Sequence, residues 1–122
     1  MTLRLYAIVR GDIHMDVGKI AAQTGHAFCD TLDLAEHINP GIKSAYRGDR
    51  HGTKVTLKAK TLNKFNRAVD EIRQTGLPHV LVIDRDHIYP PDFDGSDIIT
   101  AIGVGPCRRD QIEHITKRLS RL

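Results

Sequence analysis

Lys19, Gln23, His26 and Asp30 are the side chains whose types and spacing first suggest chemistry. At about 100° per residue they fall within about 60° of one another on a helix, nearly opposite Val17 and Phe28. A cation, an amide and an imidazole on one stripe suit electrostatic stabilisation and proton transfer. An amphipathic helix also needs a solvated face, so solvation is the plain alternative. Sharper motifs fail. Gly18-Lys19 would end a phosphate loop, but Ile13 stands where its first glycine belongs and Ile20 replaces the required hydroxyl. Gly103-Val104-Gly105 lacks the third glycine of a dinucleotide fingerprint, Arg108 standing there instead, and reads as a tight turn. His26 and Cys29 share a helix face, yet the sequence offers no second metal-ligand pair, so no metal site is expected. A G-x-S-x-G nucleophile motif is also missing.

The chain carrying these residues has 122 residues, 40% hydrophobic, 27% charged and 5% aromatic. That length suits one domain over residues 1–122, because two cores would each be too small. No apolar run is long enough to cross a bilayer, and MTLRLYAIVRGD lacks the apolar core of a secretory signal. Cys29 and Cys107 are too few for a disulfide framework, so a reducing cytoplasm is expected. The net charge of +3 hides an uneven distribution. Lys43, Arg47, Arg50, Lys54, Lys58, Lys60, Lys64 and Arg67 face only Asp49 in the middle of the chain. Later, Asp84, Asp86, Asp92, Asp94 and Asp97 face only Arg85. This pattern suits polyanion binding beside a guarded site, or simply a solvated surface.

The elements that must position these residues follow from periodicity. Residues 3–10 carry apolar residues on both parities, as a strand covered on two faces does. A helix is expected from about Asp16 to His37, burying Val17, Ile20, Thr24, Phe28, Thr31 and Ala35. The polar stretch from Asn39 to Gly52 has no clear assignment. Thr53–Lys60 reads as a half-buried strand, with Val55, Leu57 and Ala59 inside and lysines outside. A helix over 62–75 follows, with Thr61 as N-cap, Gly76 at its end, and Leu62, Phe65, Val69 and Ile72 inward. His79–Ile83 reads as a buried strand and Ile98–Val104 as another, separated by a loop with Pro90, Pro91 and Gly95. A last helix is expected from about Pro106, burying Ile112, Ile115, Leu119 and Leu122. The order β-α-β-α-β-β-α predicts a single-domain, three-layer α/β sandwich with a mixed four-stranded sheet.

The run Val9-Arg10-Gly11-Asp12-Ile13-His14-Met15-Asp16-Val17-Gly18-Lys19-Ile20-Ala21-Ala22-Gln23, with His26-Ala27 after it, closely resembles the amino-terminal signature of type 2 peptidyl-tRNA hydrolases. The likeness continues through Gly52–Lys58, Gly76-Leu77-Pro78 and Thr100–Pro106, in the right order. That family cleaves the ester joining a peptide to the 3′ ribose of tRNA. The resemblance implies a commonly dimeric enzyme that needs no cofactor. It places functional residues at Lys19, Asp84, Gln23, His26 and Thr100. Ester hydrolysis needs an activated water and a stabilised oxyanion. Asp84 would orient or deprotonate water, Lys19 would hold the oxyanion or a phosphate, and Gln23 or Thr100 would position the ester. Lys54, Lys58, Lys60 and Lys64 are candidate tRNA contacts, or only solubilise the outer face of a strand.

One stretch departs from the family. After the matched aspartate the family usually runs Ala-Gly-Arg-Thr-Gln-Ile and then Pro-Gly, whereas this chain has Arg85–Asp97. The hydroxyl-bearing threonine is missing, the loop is longer, and His87 is the candidate for the place of the family's arginine. Extra acids here would weaken phosphate attraction or redirect specificity. The departure keeps two other functions open: a non-catalytic RNA-binding or protein-interaction module on the same fold, and an esterase for another acyl ester.

Overall fold

The first strand, β1 (Arg4–Arg10), is covered on both faces: Tyr6 and Ile8 enter one apolar cluster, Ala7 and Val9 another. The computed structural model describes residues 2–48, 50–85 and 87–122; Asp49 and Asp86, counted above in the charged stretches, lie outside the described residues. Helix α1 (Val17–Ile38) begins at Asp16, whose Oδ1 accepts the Lys19 backbone N–H at 2.8 Å. Its buried face carries Gln23, Ala27, Thr31, Leu32 and Ala35. Val17, expected inside, is 85% exposed, and Gln23, expected on the outer stripe, is buried. The cause lies in close packing. A Cβ on Gly103 would collide with Thr31 Oγ1 and the Ala27 carbonyl, so the helix settles with its small residues against that glycine.

The unassigned polar stretch contains a short helix, α2 (Ile42–Arg47). Its first N–H groups are satisfied from α1: the Glu36 carboxylate accepts Gly41 N–H at 3.0 Å and Lys43 N–H at 3.0 Å. These bonds hold the Glu36 carboxyl below its ordinary range, the Gly41 bond most strongly. Strand β2 (Thr53–Ala59) and helix α3 (Leu62–Thr75) match their expected places. Thr61 caps α3 by accepting the Lys64 N–H, and Gly76 ends it at φ 73°. Phe65, Val69 and Ile72 are buried, but Leu62, in the overhanging first turn, is exposed. Strand β3 (His79–Asp84) lies at the sheet edge and is only half-buried, with Ile83 exposed.

The loop after β3 folds into a hairpin of β4 (Ile88–Tyr89) and β5 (Phe93–Asp94). The long strand β6 (Ile98–Cys107) follows. Pro106 therefore does not open a helix, and Gly103-Val104-Gly105 is no tight turn. Arg4 pairs with Cys107 and Tyr6 with Val104, so Leu5 is opposed by both Gly105 and Pro106. This bulge tolerates a residue without an N–H and lets the strand continue. The expected last helix is reduced to a 3₁₀ turn at Arg109–Gln111 and a single turn, α4 (Glu113–Thr116). Ile112 and Ile115 are buried as expected, whereas Leu122 is exposed. The chain then adds a short strand, β7 (Ser120–Arg121), against β2.

The main sheet thus has five strands rather than four, in the order β3-β6-β1-β2-β7. β1 and β2 are parallel, while β6 is antiparallel to both β1 and β3. Helices α1 and α2 pack on one face through Leu32 and Tyr46, and α3 and the α4 segment pack on the other through Phe65, Ile72, Ile112 and Ile115. The result is a single-domain three-layer α/β sandwich.

Candidate active site

Because β3 is antiparallel to β6 and β6 to β1, strands β1, β2 and β3 all end on the same rim. The amino terminus of α1 starts from that rim, where α/β folds usually assemble their sites. Asp84 is the last residue of β3. It shares the pleat parity of Val82, which packs beneath α1, so its carboxylate faces the helix. Lys19, in the first turn of α1, donates from Nζ to Asp84 Oδ2 at 2.6 Å. Both side chains are mostly covered, at 18% and 15% exposure, so this pair lies in a cleft. The ammonium also lies 5.3 Å from the centroid of the Phe93 ring, a cation–π contact.

Behind this pair is a buried polar contact. Val82 pairs with Ala101 and Ile83 with Ile99, leaving Thr100 as the extra residue of a bulge. Plain alternation would send Thr100 toward α3 with Ile102. The bulge instead brings its hydroxyl to α1, where it donates to Gln23 Oε1 at 2.7 Å. Both residues are buried. Gln23 lies on the outer stripe by helical period, yet in the fold it points inward to Thr100. Arg10 closes the neighbouring rim, donating to Asp12 at 2.7 Å and to the Ile99 carbonyl at 3.1 Å. The Arg10 bond is the main reason the Asp12 carboxyl is held below its usual range.

The other candidates are dispersed. His26 is exposed and lies about 10 Å farther along α1 than Lys19. It lines a surface hollow with Asp30, Val82 and Arg85. Lys58, Lys60 and Lys64 occupy the same rim as Asp84, at the end of β2 and the start of α3. Lys58 is three strand positions from Asp84, roughly 14 Å at the usual spacing. Lys54 pairs in register with Leu5 at the opposite rim and donates to the His51 carbonyl at 2.9 Å. Cys107 is buried and its thiol is pushed up to about 11 by desolvation, so it is a poor nucleophile. Among the described residues, no three His, Cys, Asp or Glu side chains gather as a metal-binding set.

The β4–β5 hairpin, in a stretch expected to be a loop, supplies further residues. Its acids are largely engaged: Asp92 Oδ2 accepts the His14 backbone N–H at 2.7 Å, Asp94 accepts Ser96 N–H, and Asp97 pairs with Arg85. Phe93 is buried, and Tyr89, His87 and His14 surround a cleft of about 230 Å³ that reaches Lys19. The run Tyr-Pro-Pro-Asp-Phe was the available signal, a turn flanked by strand-forming aromatics.

A three-layer α/β sandwich with an ammonium–carboxylate pair at its strand ends, backed by a preorganised amide, has the parts of a small hydrolytic enzyme. The chain belongs to the peptidyl-tRNA hydrolase PTH2 family, which matches residues 3–122. It is similar to proteins named peptidyl-tRNA hydrolase from three archaea. With that of Haloquadratum walsbyi it shares 31% identity over 113 residues, covering 93% of this chain and 94% of the other. With that of Methanococcus vannielii it shares 32% over 117 residues, covering 94% and 95%. With that of Sulfurisphaera tokodaii it shares 30% over 127 residues, covering all of both chains.

Proposed function

We propose that this protein hydrolyses the ester joining peptide to tRNA in peptidyl-tRNA, releasing both. The observation that carries the reading is the Lys19–Asp84 pair, formed at the strand ends by the residues that match the family signature. Lys19 spends one of its three N–H donors on Asp84, leaving two for an oxyanion or a neighbouring phosphate. Asp84 Oδ2 accepts that bond, and Oδ1 is the oxygen that receives a proton from the attacking water. Collapse of the tetrahedral intermediate breaks the bond to the ribose 3′ oxygen, which leaves with the proton that Asp84 took from the water and so restores the carboxylate. Gln23 is oriented by the buried Thr100 hydroxyl, so Thr100 acts through Gln23 rather than on the ester. His26, exposed and distant along the helix, suits the substrate's outer part better than the reacting bond.

Lys58, Lys60 and Lys64 are the proposed phosphate contacts on the active rim, and Lys54 sits apart from them. The chain would act without a cofactor, as one domain over residues 1–122, as a homodimer and in the cytoplasm. The family resemblance supports the dimer, and the two cysteines a reducing compartment. No helix among the described residues is long and apolar enough to cross a membrane. Lys19→Ala and Asp84→Asn should each lower peptidyl-tRNA turnover by on the order of 10²–10³, measured as release of labelled peptide. Full turnover in either variant sinks the assignment. The hairpin lying over Lys19 favours one second reading, a non-catalytic RNA-binding module. Binding of peptidyl-tRNA by the unaltered protein without release would establish it.

A further inference from the structure

We infer that the cleft beneath the β4–β5 hairpin binds the base of the tRNA's terminal adenosine and thereby holds the ester against Lys19 and Asp84. The inference rests on the peptidyl-tRNA reading above. The cleft holds about 230 Å³ between His14, Lys19, His87, Tyr89 and Phe93, space for one planar heterocycle. Its rings are aligned for stacking. His14 and Tyr89 lie 18° from parallel with centroids 5.9 Å apart, and His87 and Tyr89 lie 13° from parallel at 6.2 Å. Phe93 meets His87 edge-on at 4.9 Å and is itself buried, so it supports this surface from below. Tyr89 keeps 46% of its surface exposed, so its side chain is open to a ligand.

The platform is tied down before any ligand arrives. Asp92 accepts the His14 N–H at 2.7 Å, joining the hairpin tip to the loop that leads into α1. The His87 carbonyl accepts the Gly95 N–H at 2.8 Å. A preformed aromatic surface costs little to order on binding.

Charge and geometry select the occupant. Asp97 pairs with Arg85, Asp92 and Asp94 add carboxylates beside the hairpin, and the cleft itself is lined mainly by rings, a setting that suits a neutral base. Every base offers a π-face to such rings. The peptide ester hangs on the ribose of the tRNA's terminal adenosine, so a base stacked here leaves the carbonyl one sugar away, beside Lys19. That base is the same in every substrate, whereas the peptide's last side chain varies. A rigid pocket suits the invariant group.

The test is a cycle of two changes: Tyr89→Ala in the protein, and removal of the terminal base from an N-acetylaminoacyl-tRNA. With the unaltered protein, the abasic substrate should lose about five- to a hundredfold in kcat/KM, the effect of one base–aromatic stack. Tyr89→Ala should show a similar loss with the normal substrate and little further loss with the abasic one. Tyr89→Phe, which keeps the ring, should restore dependence on the base. Additive losses, or equal rates on normal and abasic substrates, overturn the inference. So does a loss that follows the peptide's last side chain instead. A second measurement needs no turnover. A tRNA ending in 2-aminopurine should have its fluorescence quenched by the unaltered protein and much less by Tyr89→Ala. Quenching without release would refute the hydrolase reading while supporting the pocket, and release without quenching would do the reverse.

Discussion

Thr100 and Gln23 show how little a residue's type reveals about its role without its partner. Both are polar and both are buried, and each satisfies the other at 2.7 Å. Replacing Thr100 by Val keeps the shape but removes the hydroxyl, leaving the Gln23 amide oxygen without that donor. A buried acceptor left in this state costs about 1–3 kcal/mol. Thr100→Val should therefore unfold at lower urea concentration, and its turnover should fall through a misplaced Gln23. Unchanged stability and unchanged turnover would together remove Thr100 from the proposed site. Lys19 and Gln23 carry different burdens although both come from α1. The lysine meets a carboxylate across the cleft, while the amide is buried against the Thr100 hydroxyl.

At the scale of elements, the hairpin and the C-terminal segment are each fixed by their own polar contacts. The hairpin is held by contacts from its acids, so the acidic stretch is a structural device as well as a source of negative charge. The end of the chain is held differently. Arg118 reaches back from beyond α4 to Glu71 on α3 at 2.6 Å, and Arg67 joins the same carboxylate at 2.8 Å. The Arg118 bond is the largest cause of the lowered Glu71 pKa, with Arg67 adding to it against burial. A carboxyl whose folded pKa is depressed stabilises the fold above its unfolded value and loses that stabilisation as pH falls through the folded one. Glu71→Gln should thus be less stable than the unaltered protein at about pH 7. The difference should shrink as pH falls below the ordinary carboxylate value and vanish only below the lower folded one. Urea titrations across that range would show it. A difference that persists at low pH would mean that Glu71 acts by packing instead.

At the scale of the whole molecule, the basic middle of the sequence divides between two rims. Lys58, Lys60 and Lys64 share the rim of Asp84, while Lys54 lies at the other end of β2. If the first three contact phosphates, each lysine removed should lower the slope of log affinity against log salt by about 0.7–0.9. Lys54→Ala should change that slope less. Filter binding of tRNA over a range of salt concentrations would distinguish them, and four equal effects would contradict the division.

Much of this architecture was legible in the residues themselves. Both-sided apolarity marked β1, alternation marked β2, and Thr61 with Gly76 bracketed α3, because local chain geometry dictates those patterns. The run from Val9 to His26, with Asp84 and Thr100 downstream, pointed to the family and, through it, to Lys19 and Asp84 as candidate site residues; that the two meet came from the fold. What the tertiary structure alone decided was orientation and closure. Gly103 set how α1 rests on the sheet, the bulge at Thr100 turned its hydroxyl to Gln23, and the bulge at Pro106 turned an expected helix start into continuing strand. Asp92 closed the hairpin over Lys19. Each outcome depends on residues far apart in the chain meeting at close range. Such contacts leave no period in the sequence, so only the packed molecule reveals them.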